Sequence, residues 1–135
     1  MKEDEAYLDV ARRFQESCEQ HIAHNIDLQE VIGFKSYHAF ESIGGAYISH
    51  HGRRVPKRHI SKLNEFIAIA RHDINVNDHA IAALAMLLNS MRNKYLYPEK
   101  TGTDYKRPQD QISLTDARST VRRIKGIIRQ VEKNI

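Results

Sequence analysis

A short polar segment, residues 91–98, holds the side chains best suited to binding a phosphate. Arg92 and Asn93 lie where an apolar helical pattern ends, and Tyr97 follows five residues after the arginine. A guanidinium can hold a phosphate through two parallel hydrogen bonds, and a neighbouring amide or phenol can orient the bound group. We therefore predict a catalytic or binding site at Arg92, Asn93 and Tyr97, with the phenol near the arginine if the helix ends after Asn93. A helix cap or a surface charge is the alternative role for Arg92.

A second group of basic residues lies in the basic segment, residues 50–59. It contains four Lys or Arg side chains and no acid. Clusters of cations attract polyanions, so the segment is predicted to contribute to binding RNA or another phosphate-bearing ligand. A solvated loop is the alternative interpretation. The predicted RNA- or phosphate-binding residues are Arg53, Arg54, Lys57, Arg58 and His59.

The net charge of +4 hides an uneven distribution along the chain. Residues 1–30 contain eight acids and three bases, whereas residues 31–135 contain eighteen bases and nine acids. Part of this excess lies on one face of the last predicted helix, and such a face favours polyanionic partners or is simply solvated. Its basic residues are Arg118, Arg122, Arg123, Lys125, Arg129 and Lys133.

The length and composition predict one domain. A chain of 135 residues can bury a hydrophobic core without disulfide or metal staples. The single cysteine, Cys18, cannot form an intramolecular disulfide, and its position in an apolar stripe predicts a small buried side chain. The first ten residues are acidic and unlike a signal peptide, and no apolar run approaches the roughly 18 residues of a membrane span. We expect a cytoplasmic protein without membrane association, and we predict neither a cofactor nor a metal.

Apolar residues recur at steps of three and four through most of the sequence, whereas the alternation typical of strands is almost absent. This periodicity predicts an all-α fold, an up-and-down bundle of four to five helices forming a single domain over residues 1–135. Capping residues, glycines and prolines mark the predicted ends. The predicted helices cover approximately residues 5–25, 28–50, 60–72, 77–91 and 113–135.

Two places depart from the regular helical pattern. Adjacent Gly44 and Gly45 each cost about 1 kcal/mol relative to alanine in a helix interior, which predicts a close approach by another helix backbone or a kink. Residues 97–112 form a longer connection than helices usually have. Long loops of this kind are either disordered or functional, and this one begins beside the Arg92 cluster.

Three segments together resemble the HEPN superfamily, which comprises small helical-bundle domains of prokaryotic defence and toxin–antitoxin systems and of some eukaryotic proteins. Residues 36–46, SYHAFESIGGA, resemble the aromatic and small-residue second helix of those domains. Residues 57–59 resemble the entry to the third helix, and Arg92-Asn93 with Tyr97 resembles the polar motif after the penultimate long helix. The resemblance covers most of the chain and implies a HEPN-like helical domain.

The resemblance also implies a function. Active HEPN members are metal-independent ribonucleases whose motif is an arginine, commonly a polar neighbour, and a histidine four to six residues later, with two copies meeting across a dimer interface. Arg92 and Asn93 match, but Tyr97 stands where the histidine is expected. A phenol ordinarily ionises only near pH 10 and is poorly suited to proton transfer at neutral pH. The resemblance therefore implies a homodimer that binds RNA or a nucleotide, or a degenerate or weak ribonuclease, with an antitoxin or nucleotidyltransferase as a further partner.

Three questions depend on geometry that the sequence does not provide. His59 could supply the missing imidazole if it lies beside Arg92 rather than at the opposite pole of the bundle. Glu41 falls on the apolar stripe of the second helix, and if it is buried it needs a partner such as Arg92. A metal site formed by His50, His51 and His59 is disfavoured, because adjacent histidines on a helix point about 100° apart and no cysteine is nearby.

Two classes of function follow from these observations. The first is an RNA-directed protein, binding or catalytic, in which Arg92 faces an open groove. The second is a structural or regulatory module that binds another protein, with Arg92 in a buried ion pair. The surroundings of Arg92 therefore distinguish the two classes.

Overall fold

The computed structural model describes residues Met1–Ile135, and it confirms the predicted all-α bundle. None of its helices combines the length and apolar character needed to cross a bilayer. The helices are α1 (Glu3–Ala23), α2 (Gln29–His50), α3 (His59–Ala70), α4 (Asp78–Leu96) and α5 (Leu114–Lys133), with strands β1 (Glu99–Thr101) and β2 (Asp104–Lys106) and a 3-10 turn at Pro108–Asp110 between α4 and α5.

Helix α2 is the centre of the bundle. It is apolar around most of its circumference, and a helix of this kind is stable only when other elements cover it. The other four helices all pack against it. Side chains of α2 therefore contact each of the other helices, including α3 and α4, which complete the candidate site.

The adjacent glycines of α2 allow aromatic rings to approach the helix. A Cβ atom on Gly44 would lie 2.7 Å from the ring of Phe66 on α3, and one on Gly45 would lie 2.8 Å from the ring of Tyr7 on α1. These distances are too short for real Cβ atoms, so a larger residue would displace the rings. Side chains make the close approach, and not the helix backbone that the sequence predicted. Helix α2 continues without interruption through both positions.

Helix α3 is the exception to the alternating direction of the long helices. Contacts between their ends show that α1, α2, α4 and α5 alternate as in an up-and-down bundle. The basic segment instead returns along α2, so α3 runs in the same direction as α2. His59 at the start of α3 contacts Glu41, and Asp73 just after its end accepts a hydrogen bond from Tyr47. This return places the start of α3 level with the middle of α2.

Residues 97–112 contain regular structure that helical periodicity could not reveal. Strands β1 and β2 pair as an antiparallel hairpin, and Gly102 takes a φ of 64° in its turn. Gln111 donates a hydrogen bond of 3.0 Å to the carbonyl of Tyr97, which ties the hairpin to the end of α4. Both strands are exposed, so the hairpin adds little to the core.

Cys18 is buried in the core, as its position in the apolar stripe predicted. Its Sγ atom lies 3.6 Å from the carbonyl oxygen of Ile32 and 3.7 Å from the hydroxyl of Ser36. Burial raises the pKa of the Cys18 thiol, which keeps it protonated. The thiol is therefore a packing group between α1 and α2.

Candidate functional site

Three helices bring Glu41, His59 and Arg92 into one line of polar contacts, which we call the polar row. His59 Nδ1 lies 2.7 Å from Oε2 of Glu41, and Nη2 of Arg92 lies 3.0 Å from His59 Nε2. When the imidazole is neutral with its hydrogen on Nδ1, it donates to Glu41 and accepts from Arg92. The ring is thereby held at both nitrogens. His59 and Arg92 meet on the same side of the bundle, not at opposite poles.

Glu41 anchors the row from inside the bundle. Its side chain is 8% exposed, and its second oxygen accepts a hydrogen bond of 2.7 Å from Nζ of Lys62. Burial raises the pKa of Glu41, but the hydrogen bonds from Lys62 and His59 lower it by more than burial raises it. The pKa of Glu41 therefore lies below its ordinary value. The carboxylate is therefore ionised and fully partnered. Its partners are Lys62 and His59, and not Arg92 as the sequence suggested.

Lys62 is a residue of this site that sequence reasoning missed. It follows His59 by three positions on α3, so the two side chains lie on the same face of the helix. Both reach the carboxylate of Glu41. Lys62 could have been found from a pattern in the sequence. Glu41 lies on the apolar stripe of one helix, and two basic residues follow at helical spacing at the start of the next helix.

Tyr37 lies on the inner side of the row, and the sequence placed it only within the aromatic and small-residue stretch of residues 36–46. Its ring centroid is 5.8 Å from that of His59, and the guanidinium carbon of Arg92 is 5.8 Å from the same Tyr37 centroid. The second distance allows a cation–π interaction. Burial, and then the charge of Glu41, raises the pKa of Tyr37, so its hydroxyl stays protonated. That hydroxyl is buried and has no hydrogen-bond partner, which makes it an unused donor beside the row.

Arg92 carries a charge that no carboxylate of the chain neutralises directly. It is half-buried, and none of the ion pairs in the structure includes it. Glu41, the nearest acid in the row, is already occupied by Lys62 and His59. A guanidinium has five N–H donors, and the contact with His59 uses one of its nitrogens. Arg92 can therefore still donate to an anion.

Asn93 and Tyr97 do not join the polar row. Helix α4 continues to Leu96, so it does not end after Asn93. The Asn93 side chain is exposed and makes no hydrogen bond, although its carbonyl accepts one from the backbone of Tyr97 at 2.9 Å. Tyr97 is 59% exposed, and its hydroxyl is not hydrogen-bonded. Of the three residues predicted here, only Arg92 contacts another residue of the row.

The basic segment surrounds the N-terminus of α3. Arg54, Lys57 and Arg58 are exposed, form no ion pair and line one shallow depression, whereas Arg53 pairs with Glu65 at 3.2 Å. No side chain caps the first amides of α3. Because free amides at a helix N-terminus attract anions, they add to the charge of the segment. The positive potential therefore extends from Arg92 across the start of α3.

The histidines at the end of α2 lie outside the row. His50 Nδ1 is 3.3 Å from Oδ2 of Asp4, and His51 Nδ1 is 3.0 Å from the carbonyl oxygen of Tyr47. Both line a cleft of about 700 Å³ between the ends of α2, α3 and α5, which His59 does not line. No group of three or more His, Cys, Asp or Glu side chains is placed to hold a metal ion.

In comparisons with known proteins, no family model matches this sequence, and no curated protein or solved structure matches it significantly. The resemblance to the HEPN superfamily therefore stays a prediction. Any assignment of function rests on the geometry of the polar row and its surroundings.

Proposed function

We propose that this chain is a HEPN-like, cytoplasmic RNA-binding protein with weak, metal-independent ribonuclease activity at the polar row. One observation carries the proposal: Arg92 is half-buried and hydrogen-bonded to His59, yet it has no carboxylate partner. A buried ion pair would have favoured a protein-interaction module. An unpaired guanidinium beside an oriented imidazole instead suits a phosphate group.

RNA binding is supported by the distribution of free cations around the row. Arg92 would hold one phosphate, and Arg54, Lys57 and Arg58 at the start of α3 would hold its neighbours. Each neutralised phosphate releases counterions, so the affinity should fall steeply as the salt concentration rises. The proposal includes a homodimer that brings two polar rows together, as the resemblance to the HEPN superfamily implies. It also includes an antitoxin as a protein partner.

His59 has the geometry of a general base for RNA cleavage. With its hydrogen on Nδ1, His59 donates a hydrogen bond to Glu41, and this contact directs Nε2 toward Arg92. When Arg92 donates to a phosphate, Nε2 becomes free to take the proton of the adjacent 2′-hydroxyl. The 2′-oxygen then attacks phosphorus and the bond to the 5′-oxygen breaks. The departing 5′-oxygen takes a proton from water, so the products are a 2′,3′-cyclic phosphate and a 5′-hydroxyl, and the protonated His59 returns its proton to solvent. In this scheme His59 takes the place of the histidine that the motif after Arg92 lacks.

The test uses a labelled 30-nucleotide single-stranded RNA, in EDTA and in magnesium, at about 50 and 200 mM salt. We expect binding that weakens with salt and slow cleavage in both metal conditions. Arg92→Ala should weaken binding, whereas His59→Ala should abolish cleavage and leave most of the binding intact. Arg13→Ala removes an exposed cation of α1 that forms no ion pair, and it serves as the control. Binding by Arg92→Ala equal to that of the wild type would reject this site.

A further inference from the structure

The outer side of α5 carries four cations that no acid of the chain neutralises. The inner side of this helix is buried, and two basic residues at its edges are paired, Arg118 with Asp27 and Lys125 with Glu19. The remaining four are exposed and form no ion pair. We call them the basic face of α5: Arg122, Arg123, Arg129 and Lys133.

Three of these cations lie along one line of the helix. At about 100° per residue, Arg122, Arg129 and Lys133 project within about 40° of one another, and a rise of 1.5 Å per residue places the first and last about 16 Å apart. Phosphates recur every 3.4 Å or so along one strand of a duplex. The face therefore matches a linear series of negative charges better than a single anion.

Gly126 lies between Arg122 and Arg129 along the helix and projects about 40° from the first and about 60° from the second. A Cβ atom at this position would meet nothing within 4 Å, so packing inside the protein does not require a glycine. Glycine is also one of the least favourable residues in a helix interior. Its presence leaves the helix backbone uncovered between two arginines, and an elongated partner can approach it closely there.

We infer that the basic face of α5 binds the sugar-phosphate backbone of a nucleic acid, as a second contact surface separate from the polar row. The inference rests on the proposed function for the class of partner. A helix inserted at a membrane interface has large apolar side chains beside its cations, and a protein interface is usually anchored by aromatic or aliphatic side chains. None of the exposed large hydrophobic residues of the chain lies on α5.

The two surfaces belong to different sides of the bundle. The polar row lies between α2, α3 and α4, whereas α5 packs against α1, α2 and α4 and turns its basic face outward. We therefore expect a short oligonucleotide held by Arg92 to contact the basic face less than a long strand that wraps around the bundle. The contribution of α5 to binding should then depend on the length of the nucleic acid.

The experiment measures binding of labelled oligouridylates of 6 and 30 nucleotides, and of a 30-nucleotide oligothymidylate, by fluorescence anisotropy across a salt series. We expect the double variant Arg122→Ala/Arg129→Ala to bind both 30-mers about tenfold more weakly, with the salt slope reduced by about 1.4, and to bind the 6-mer like the wild type. Gly126→Leu should also weaken binding of the 30-mers, whereas Gly126→Ala should not. Arg13→Ala is the control for loss of one charge, and circular dichroism verifies folding.

The outcomes separate this inference from the proposed function. If Arg92→Ala weakens binding of the 6-mer and the α5 variants bind the 30-mers like the wild type, the basic face is rejected and the polar row stands. The reverse pattern supports the face and rejects the row. Wild-type protein that binds no oligonucleotide overturns both. Binding to phosphatidylserine vesicles that the double variant loses, without a loss for the 30-mers, would assign the face to a membrane and overturn the inference.

Discussion

The ring of Tyr95 occupies the space that a side chain at Gly33 would need. A Cβ atom at this glycine would lie only 2.5 Å from Cδ1 of Tyr95 and 2.9 Å from its Cζ. The contact holds the last turn of α4 against the first turn of α2. Arg92 lies three residues before Tyr95, so the same packing sets its position beside His59.

Gly33→Ala should lower the free energy of unfolding by about 1–3 kcal/mol, because the added methyl group must displace a buried ring. The variant should also bind RNA more weakly, since α4 carries Arg92. Urea denaturation gives the stability. Gly126→Ala is the matched control, because its methyl group meets only open space and should raise helix stability by up to about 1 kcal/mol. Equal destabilisation of the two variants would contradict the packing at Gly33.

Glu41→Gln should destabilise the protein by about 3 kcal/mol, because it leaves the buried ammonium of Lys62 without its counter-charge. The double variant Glu41→Gln/Lys62→Met should be less destabilised than Glu41→Gln alone. A double-mutant cycle built from denaturation curves gives the coupling. Strictly additive losses would show that Glu41 and Lys62 do not act as a pair.

The stability should decrease in acid in a way that depends on Glu41. Its pKa is lowered in the folded state, so the unfolded chain takes up the proton more readily. The contribution is complete above the ordinary glutamate value of about 4.3 and disappears as the pH falls through the lower folded pKa. The difference between wild type and Glu41→Gln isolates this group from the other carboxylates. It should therefore shrink from about pH 5 downward, and a constant difference would refute the assignment.

Tyr37→Phe should separate stability from function. The hydroxyl is buried without a partner, so its removal should leave the stability unchanged or raise it by about 1 kcal/mol. If the hydroxyl donates to a phosphate bound at Arg92, the same variant should bind RNA more weakly. Thermal unfolding and anisotropy on one preparation measure both effects. A variant that loses stability and keeps its RNA affinity would give Tyr37 a purely structural role.

The protein should be a homodimer if two polar rows form one RNA site. Size-exclusion chromatography with light scattering should then give twice the chain mass of 15.6 kDa at micromolar concentration. Monomeric protein that still cleaves RNA would show that a single row is sufficient. Monomeric protein that does not cleave RNA would reject a site shared between two polar rows. RNA binding by each surface would then have to be measured on the monomer.

The long helices could be predicted because each carries its own apolar stripe and end signals. The course of the basic segment could not be predicted in this way. Its return along α2 depends on tertiary packing, and local periodicity contains no information about it. The direction of α3 could therefore not be predicted from the sequence, and neither could the contact between His59 and Arg92.

The role expected for Tyr97 depended on its distance from Arg92 along the chain. A separation of five residues brings the phenol of Tyr97 near Arg92 only if the helix ends after Asn93. Helix α4 instead continues to Leu96. Glu41 was correctly recognised as a carboxylate on an apolar stripe that would need a partner if it were buried. Identifying Lys62 and His59 as that partner, and not Arg92, required the relative heights of three helices, which local sequence patterns do not contain.

The polar row draws its residues from three distant segments of the chain, at positions 41, 59 and 92. Domains fold as units, and a growing chain emerges from its N-terminus. The residues of α1 and α2, including Glu41, can therefore leave the ribosome before Arg92 has been made. If the row binds RNA, we expect a nascent chain to have no affinity through this site until α4 has emerged and packed against α2 and α3.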